Sequence, residues 1–402
     1  MKFKIFILFL LFFWQLGCER INGNRVELLT LDYNHLLEVR NGIQEKSPIY
    51  LEAYQRLIKE AENILNQSCY TVVDKSTVPP SGDKKDYMSL ATYWWPDPEK
   101  ADGLPYIRKD GYRNPEGDKE NYDDRRSSRM VDDVVTLTLA WFYSNDSRYA
   151  GKAADMIDTW YLNPETGMNP NLNFGQAIPG RVEGRGIGII DTRNYIMIVD
   201  AARLLEKSPA WSKRNSKSLQ QWFSEYIAWL QESEYGKDEE EHLNNHGTWY
   251  DVQLAWYASY TGNNLLVKDI VNNAKTRRID RQIDSLGRQE HELDRTKSFT
   301  YSVFNLEALI LLGKIGEMNG IDLWTHESPQ KGSIKKACDY IFSFIENSEE
   351  WPYQQISPVP WDRLTSLLTA CCEIFNDPEY DRYLQKLQND IKSNDRLLIT
   401  KL

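Results

Sequence analysis

The sequence predicts an all-α protein, an (α/α) toroid or incomplete barrel of helix hairpins with long inserted loops. Three observations predict it. Apolar residues recur at three- and four-residue spacing along most of the chain, the mark of amphipathic helices. Alternating strand patterns are scarce, and no βαβ rhythm or Pro/Ser linker divides the chain. Two long stretches, 70–127 and 161–193, interrupt the helices, and loops of that length inside a compact domain usually carry function.

The helical stripes follow in order. Tyr54, Leu57, Ile58, Ala61, Ile64 and Leu65 form the first. Val131, Val134, Val135, Leu139 and Phe142 form the second, and Tyr195, Ile198, Ala202 and Leu205 the third. The cleanest runs through Leu219, Trp222, Phe223, Tyr226, Ile227 and Leu230. Val252, Ala255, Trp256 and Tyr260 come next, then Phe304, Ala308, Leu311, Leu312 and Ile315. Ala337, Tyr340, Ile341 and Phe344 precede Leu364, Leu367, Leu368, Cys371 and Phe375, and Tyr383, Leu384, Leu387 and Ile391 close the series.

The N-terminus reads as an export signal. Lys2 and Lys4 precede a short apolar run, Ile5 to Trp14, too short for an ordinary membrane span. Leu16-Gly17-Cys18 resembles a bacterial lipobox with Cys18 as the acylated residue; Gln15 fits that box poorly, so plain secretion is the other reading. Residues 1–17 are therefore expected to be removed, leaving 18–402 as a single toroid domain in the periplasm or on the outer membrane. The membrane would be met only through a lipid at Cys18. Cys371 and Cys372 sit in an apolar helical pattern and read as small core side chains.

The formal charge is −11, and loss of Lys2 and Lys4 makes it −13. That balance argues against a general nucleic-acid binder, which normally carries a basic footprint. It favours neutral or cationic partners unless a local basic site overrides the global field.

Two segments carry candidate chemistry. In the run from Glu239 to Asp251, Asn244, Asn245 and Gly247 break the pattern just before a helix. Asn245 and His246 thus fall near a helix N-terminus, where free N–H groups and the positive dipole end welcome an anion. The plainer alternative is an ordinary cap with His246 packed. His242 and His246 have a zinc-like spacing, but Leu243-Asn244-Asn245 between them breaks a helix and no HExxH is present. In the second segment Arg295, Lys297 and Tyr301 precede another helix. Cations beside a phenol predict a lowered pKa and a general acid or base.

The run Gly180 to Gly188 lacks GxGxxG spacing and a preceding strand; its Arg181 and Arg185 could fork onto carboxylates. Tyr93-Trp94-Trp95 offers faces on which sugar rings stack. Asp132-Asp133 and Glu290/Glu292 are carboxylate pairs suited to glycoside hydrolysis.

Asn244 to Asp251, Arg295 to Tyr301 and Tyr93-Trp94-Trp95-Pro96-Asp97-Pro98 together resemble the alginate lyase superfamily of polysaccharide lyases, over roughly residues 85–375. The resemblance is to Bacteroidetes lyases with an α/α toroid. It implies an acidic polysaccharide substrate, alginate first and glucuronan next, cut by β-elimination to a 4,5-unsaturated uronate end. It implies catalytic roles for Asn245, His246, Arg295 and Tyr301, and substrate contacts from Asn244, Tyr250, Arg181, Arg185, Lys297, Tyr93, Trp94 and Trp95. The scheme requires no cofactor and no metal. A toroidal glycoside hydrolase using two carboxylates and a non-catalytic glycan-binding lipoprotein are the alternatives.

Overall fold

A computed structural model describes residues 26–387 and 395–400; the export signal and Cys18 lie outside the described residues. The helices are α1 (Tyr33–Gln44), α2 (Pro48–Leu65), α3 (Asp124–Ser144), α4 (Ser147–Ile157), α5 (Tyr195–Leu205), α6 (Lys213–Glu232), α7 (Glu234–Glu241) and α8 (Asn245–Tyr260). After these come α9 (Asn264–Ala274), the short α10 (Asp280–Gln282) and α11 (Glu290–Leu293), α12 (Ser298–Met318), α13 (Ile334–Phe342), α14 (Trp361–Phe375), α15 (Pro378–Lys386) and α16 (Asp395–Thr400).

Their contacts build an inner series and an outer layer. Helix α3 packs on α5, α5 on α8, α8 on α12 and α12 on α14, while α4, α6, α9 and α13 lie against the outside of that series. Helix α16 rests on α1 and α2, and Arg396 Nη2 donates to Thr136 of α3 at 2.8 Å.

The two layers differ in pattern. Outer α6 keeps the expected stripe, with Leu219, Trp222, Phe223, Tyr226, Ile227 and Leu230 buried. Inner α8 does not: Gly247 through Ala258 are buried without interruption. An inner helix meets neighbours on all sides, so a simple stripe understates its burial. An aromatic hub fastens the layers, with Tyr161 edge-on to Trp222 at 4.8 Å and Phe223 against Tyr257 at 4.7 Å. Each such pair contributes about 0.5–1.5 kcal/mol beyond its area.

The inner helices share a direction that matters for charge. Asp124 of α3, Arg193 just before α5, Asn245 of α8, Tyr301 of α12 and Arg363 of α14 all border one cleft. Each belongs to the N-terminal end of its helix. The positive ends of the inner helices therefore converge there, each worth roughly half an elementary charge.

The two long irregular stretches meet over this mouth. Strand β1 (Met88–Leu90) pairs in parallel with β4 (Phe174–Ala177), and β2 (Trp94–Trp95) pairs antiparallel with β3 (Ile107–Arg108). Buried Lys75 anchors the first stretch, with Nζ 2.9 Å from Asp123 and donating to the carbonyls of Val72 and Lys84. Glycines let the second stretch lie flat: a Cβ on Gly184 would stand 2.0 Å from the Asn173 carbonyl oxygen, and one on Gly188 2.5 Å from the Gly175 carbonyl carbon. Close backbone approach, rather than a phosphate cradle, accounts for that glycine run.

Candidate active site

One wall of the cleft is the first turn of α8. Asn244 is the N-cap, its side chain accepting from the His246 N–H at 3.1 Å. Asn245 stands at the first helical position, one residue inside the cap. Gly247 is required here, because a Cβ would lie 2.1 Å from the His242 carbonyl oxygen. Beneath it Arg278 closes the elbow between α7 and α8, pairing with Asp251 at 2.7 Å and donating to the His242 and Glu240 carbonyls.

Two buried carboxylates fix the side chains of this wall. Glu239 lies 2.7 Å from His246 Nδ1. With Glu239 as acceptor Nδ1 carries a proton, which in the neutral imidazole leaves the lone pair on Nε2. Glu292 accepts from the Asn245 backbone N–H at 2.6 Å and from its Nδ2 at 3.0 and 2.8 Å. Burial pushes the Glu292 carboxyl up to about 7, against the pull of those hydrogen bonds.

The opposite wall is the start of α12. The Tyr301 hydroxyl accepts from Arg295 Nη2 at 3.0 Å and shares a hydrogen bond with the Tyr93 hydroxyl at 2.7 Å. The Arg295 guanidinium also covers the Tyr301 ring at 3.9 Å. Asp110 holds Arg295 at 3.1 Å and the Thr296 hydroxyl at 2.8 Å. Burial alone would raise Asp110, but the bonds from Thr296 and Arg295 draw it down to about 2.

The expected lowering of the Tyr301 pKa is overturned. Burial and then the Tyr93 phenol push Tyr301 above its ordinary value, and Arg295 only partly offsets them. Asp110 already neutralises much of the cation that the sequence placed beside the phenol.

The structure brings Asn244, Asn245, His246, Arg295, Lys297, Tyr301, Tyr93, Trp94 and Arg185 around one cleft of about 640 Å³. It does not bring Tyr250 there. That ring stands outside the cleft lining and its hydroxyl donates to the Leu230 carbonyl at 2.9 Å, so it packs α8 against α6. Trp95 is also turned away, its Nε1 donating to the Tyr112 carbonyl and Lys109 lying over its ring. Arg181 is exposed outside the cleft wall, stacked on Trp94 at 5.1 Å. Neither carboxylate pair proposed for hydrolysis assembles: Glu290 is exposed while Glu292 is buried under Asn245, and Asp132 and Asp133 stand outside the cleft lining.

Several cleft residues escaped the sequence reading. Arg108, Arg113, Arg193 and Arg363 add positive charge. Arg193 and Arg363 both lie over the Phe304 ring, at 5.5 and 4.8 Å. Gln176 holds a left-handed backbone, φ 50°, while its side chain links Arg185 to Asp191. Such strain in a non-glycine residue is concentrated at functional sites. Asp191 is held by Ser89 and Gln176, and burial raises it to about 6. Among the described residues no cluster of His, Cys, Asp and Glu side chains forms a metal-sized site.

Comparison with known proteins settles the family. The alginate lyase family pattern matches residues 71–351. The chain belongs to the alginate lyase family. It is a polysaccharide lyase on an α/α toroid. A crystal structure of an alginate lyase from Bacteroides ovatus is 36% identical, with a TM-score of 0.88 over 93% of this chain and 99% of that one. Alginate lyase A1-III from Sphingomonas species A1 shares the fold at 16% identity, with a TM-score of 0.54 over 88% of this chain and 90% of the other. A histidine-to-alanine variant of A1-III complexed with a tetrasaccharide aligns similarly, at 15% identity and a TM-score of 0.55 over 88% and 90%. No curated protein sequence matches the chain.

Proposed function

We propose that this lyase cleaves a polyuronate by β-elimination, alginate first and glucuronan next, in the cleft between α8 and α12. The observation that carries the proposal is the pairing of two walls. Neutral donors and an imidazole stand on α8, and a phenol held by Arg295 and Tyr93 stands opposite.

The C5 proton of a uronate is poorly acidic while the C6 carboxylate is charged. Asn245 and Arg295 neutralise that carboxylate and stabilise the enolate-like state, helped by the α8 N-terminus. Tyr301, protonated at rest because its pKa is raised, delivers a proton to the leaving O4. His246 Nε2 takes the C5 proton from the epimer whose C5–H and O4 lie on opposite faces. For the other epimer Tyr301 first gives its proton to solvent as substrate binds, leaving a phenolate that Arg295 holds; it then takes the C5 proton and passes it to the leaving O4. Tyr93, Trp94, Arg185 and Lys297 hold neighbouring sugar residues.

The enzyme is proposed to act after export, anchored by a lipid on Cys18. Loss of fatty-acid labelling in Cys18→Ala tests the anchor. The reaction is tested on alginate, its mannuronate and guluronate blocks, glucuronan and glycosaminoglycans. Ultraviolet absorbance of a new C4–C5 double bond is the expected product signal. New reducing ends without that absorbance would mean hydrolysis, with Asp191 as the acid candidate. Retention of polymer without cleavage would mean a binding protein.

A further inference from the structure

Asn245 presents a contradiction within the proposed reaction. To neutralise a C6 carboxylate its side chain must donate. Yet Nδ2 is directed at both oxygens of Glu292, and Oδ1 is buried with no partner among the described residues. That leaves only a carbonyl oxygen for a uronate, and a carbonyl oxygen repels a carboxylate. Rotating the amide half a turn would free Nδ2 for a uronate, but it would press Oδ1 against an ionised Glu292. One proton removes both conflicts: a protonated Glu292 donates to Oδ1 and still accepts from the Asn245 backbone N–H.

We propose that Glu292 takes up a proton from solvent when a uronate binds, and that this proton turns the Asn245 amide to donate to the C6 carboxylate. Glu292 is thus a positioning residue, acting through Asn245. The inference rests on the lyase reading of the cleft. The surroundings support it. Glu292 is 1% exposed on α11. The titratable and charged groups facing it are Arg295 from its own segment and His246 from α8. Each is already engaged: His246 by Glu239 of α7, and Arg295 by Asp110 and the Tyr301 hydroxyl. A second carboxylate arriving beside this one favours its protonated form. Burial already holds the free enzyme's Glu292 near the point of proton uptake, at about 7.

Glu292→Gln mimics the protonated state, because its amide donates to Oδ1 at every pH. In wild type kcat/KM, which reports the free enzyme, is expected to fall about tenfold per pH unit above neutrality. In Glu292→Gln that fall disappears, while Glu292→Ala loses at least about a hundredfold and shows no such rescue. Proton uptake is read directly in the Tyr301→Phe background. The method is calorimetric titration with an alginate tetrasaccharide at pH 8, in two buffers of different ionisation enthalpy. It should show about one proton taken up while Glu292 is intact, and none once Glu292→Gln is added to Tyr301→Phe. Equal proton uptake with and without Glu292, or a folded Glu292→Gln that is as inactive as Glu292→Ala, would overturn the proposal. Failure of the lyase reading itself would look different, since wild type would then give no unsaturated product at any pH.

Discussion

The two walls of the cleft are built in different ways. The α8 wall is local and backed by acids. Its cap, Asn244, is followed directly by Asn245 and His246, and the carboxylates behind them belong to the adjoining helix α7 and to α11. The α12 wall is assembled at long range. Tyr301 is held by Tyr93, 208 residues away, and Arg295 by Asp110, 185 residues away. Each of these buried carboxylates by itself orients one side chain of the first wall, Glu239 the imidazole and Glu292 the amide. The second wall depends on the inserted 70–127 stretch being seated. Orientation should therefore fail sharply on one side and gradually on the other.

The largest effect is expected where no substitute exists. Tyr301→Phe removes the proton donor and should lower kcat by at least about a thousandfold with little change in KM, as steady-state absorbance assays would show. Asn245→Ala should cost about a hundredfold or more in kcat/KM, since it removes one donor from the developing enolate. Glu239→Gln leaves His246 in place but weakens its hold on the Nδ1 proton, so a loss of about ten- to a hundredfold is expected, confined to the epimer that uses His246. If both epimers suffer alike, the division of roles between the walls is wrong. Tyr93→Phe should cost about tenfold or less, because Arg295 still holds the phenol. The smallest effect is general: raising salt from about 0.01 to 0.15 M shortens the Debye length from about 30 to 8 Å, and KM should rise several-fold as the cleft cations are screened.

The same comparison explains what could be read in the sequence. Asn245 and His246 were visible because a helix start has a local signature, and the 3.6-residue stripes of α6 announced the outer layer. Lys297, Trp94 and Arg185, singled out for their charge or ring faces, also line the cleft. Tyr250 was misplaced because α8 is buried on every side, so nearness to Asn245 in sequence gave no information about facing. The Tyr301 pKa was misjudged because Asp110 and Tyr93 come from a distant loop. Glu239, Glu292 and Arg363 carry no motif; a buried carboxylate is ordinary in sequence until folding removes its water. The formal charge of −11 now reads as a property of the outside. Converging helix N-termini and arginines at one mouth reverse it where a polyanion would enter.

The central claim is elimination rather than hydrolysis in this cleft. Mass spectrometry of oligouronate products made in heavy-oxygen water, quenched before the reducing ends exchange with solvent, tests it most directly. The account predicts products lighter by one water than hydrolytic fragments, free of heavy oxygen at the cut, and absent with Tyr301→Phe. Heavy oxygen at the new reducing end would contradict it.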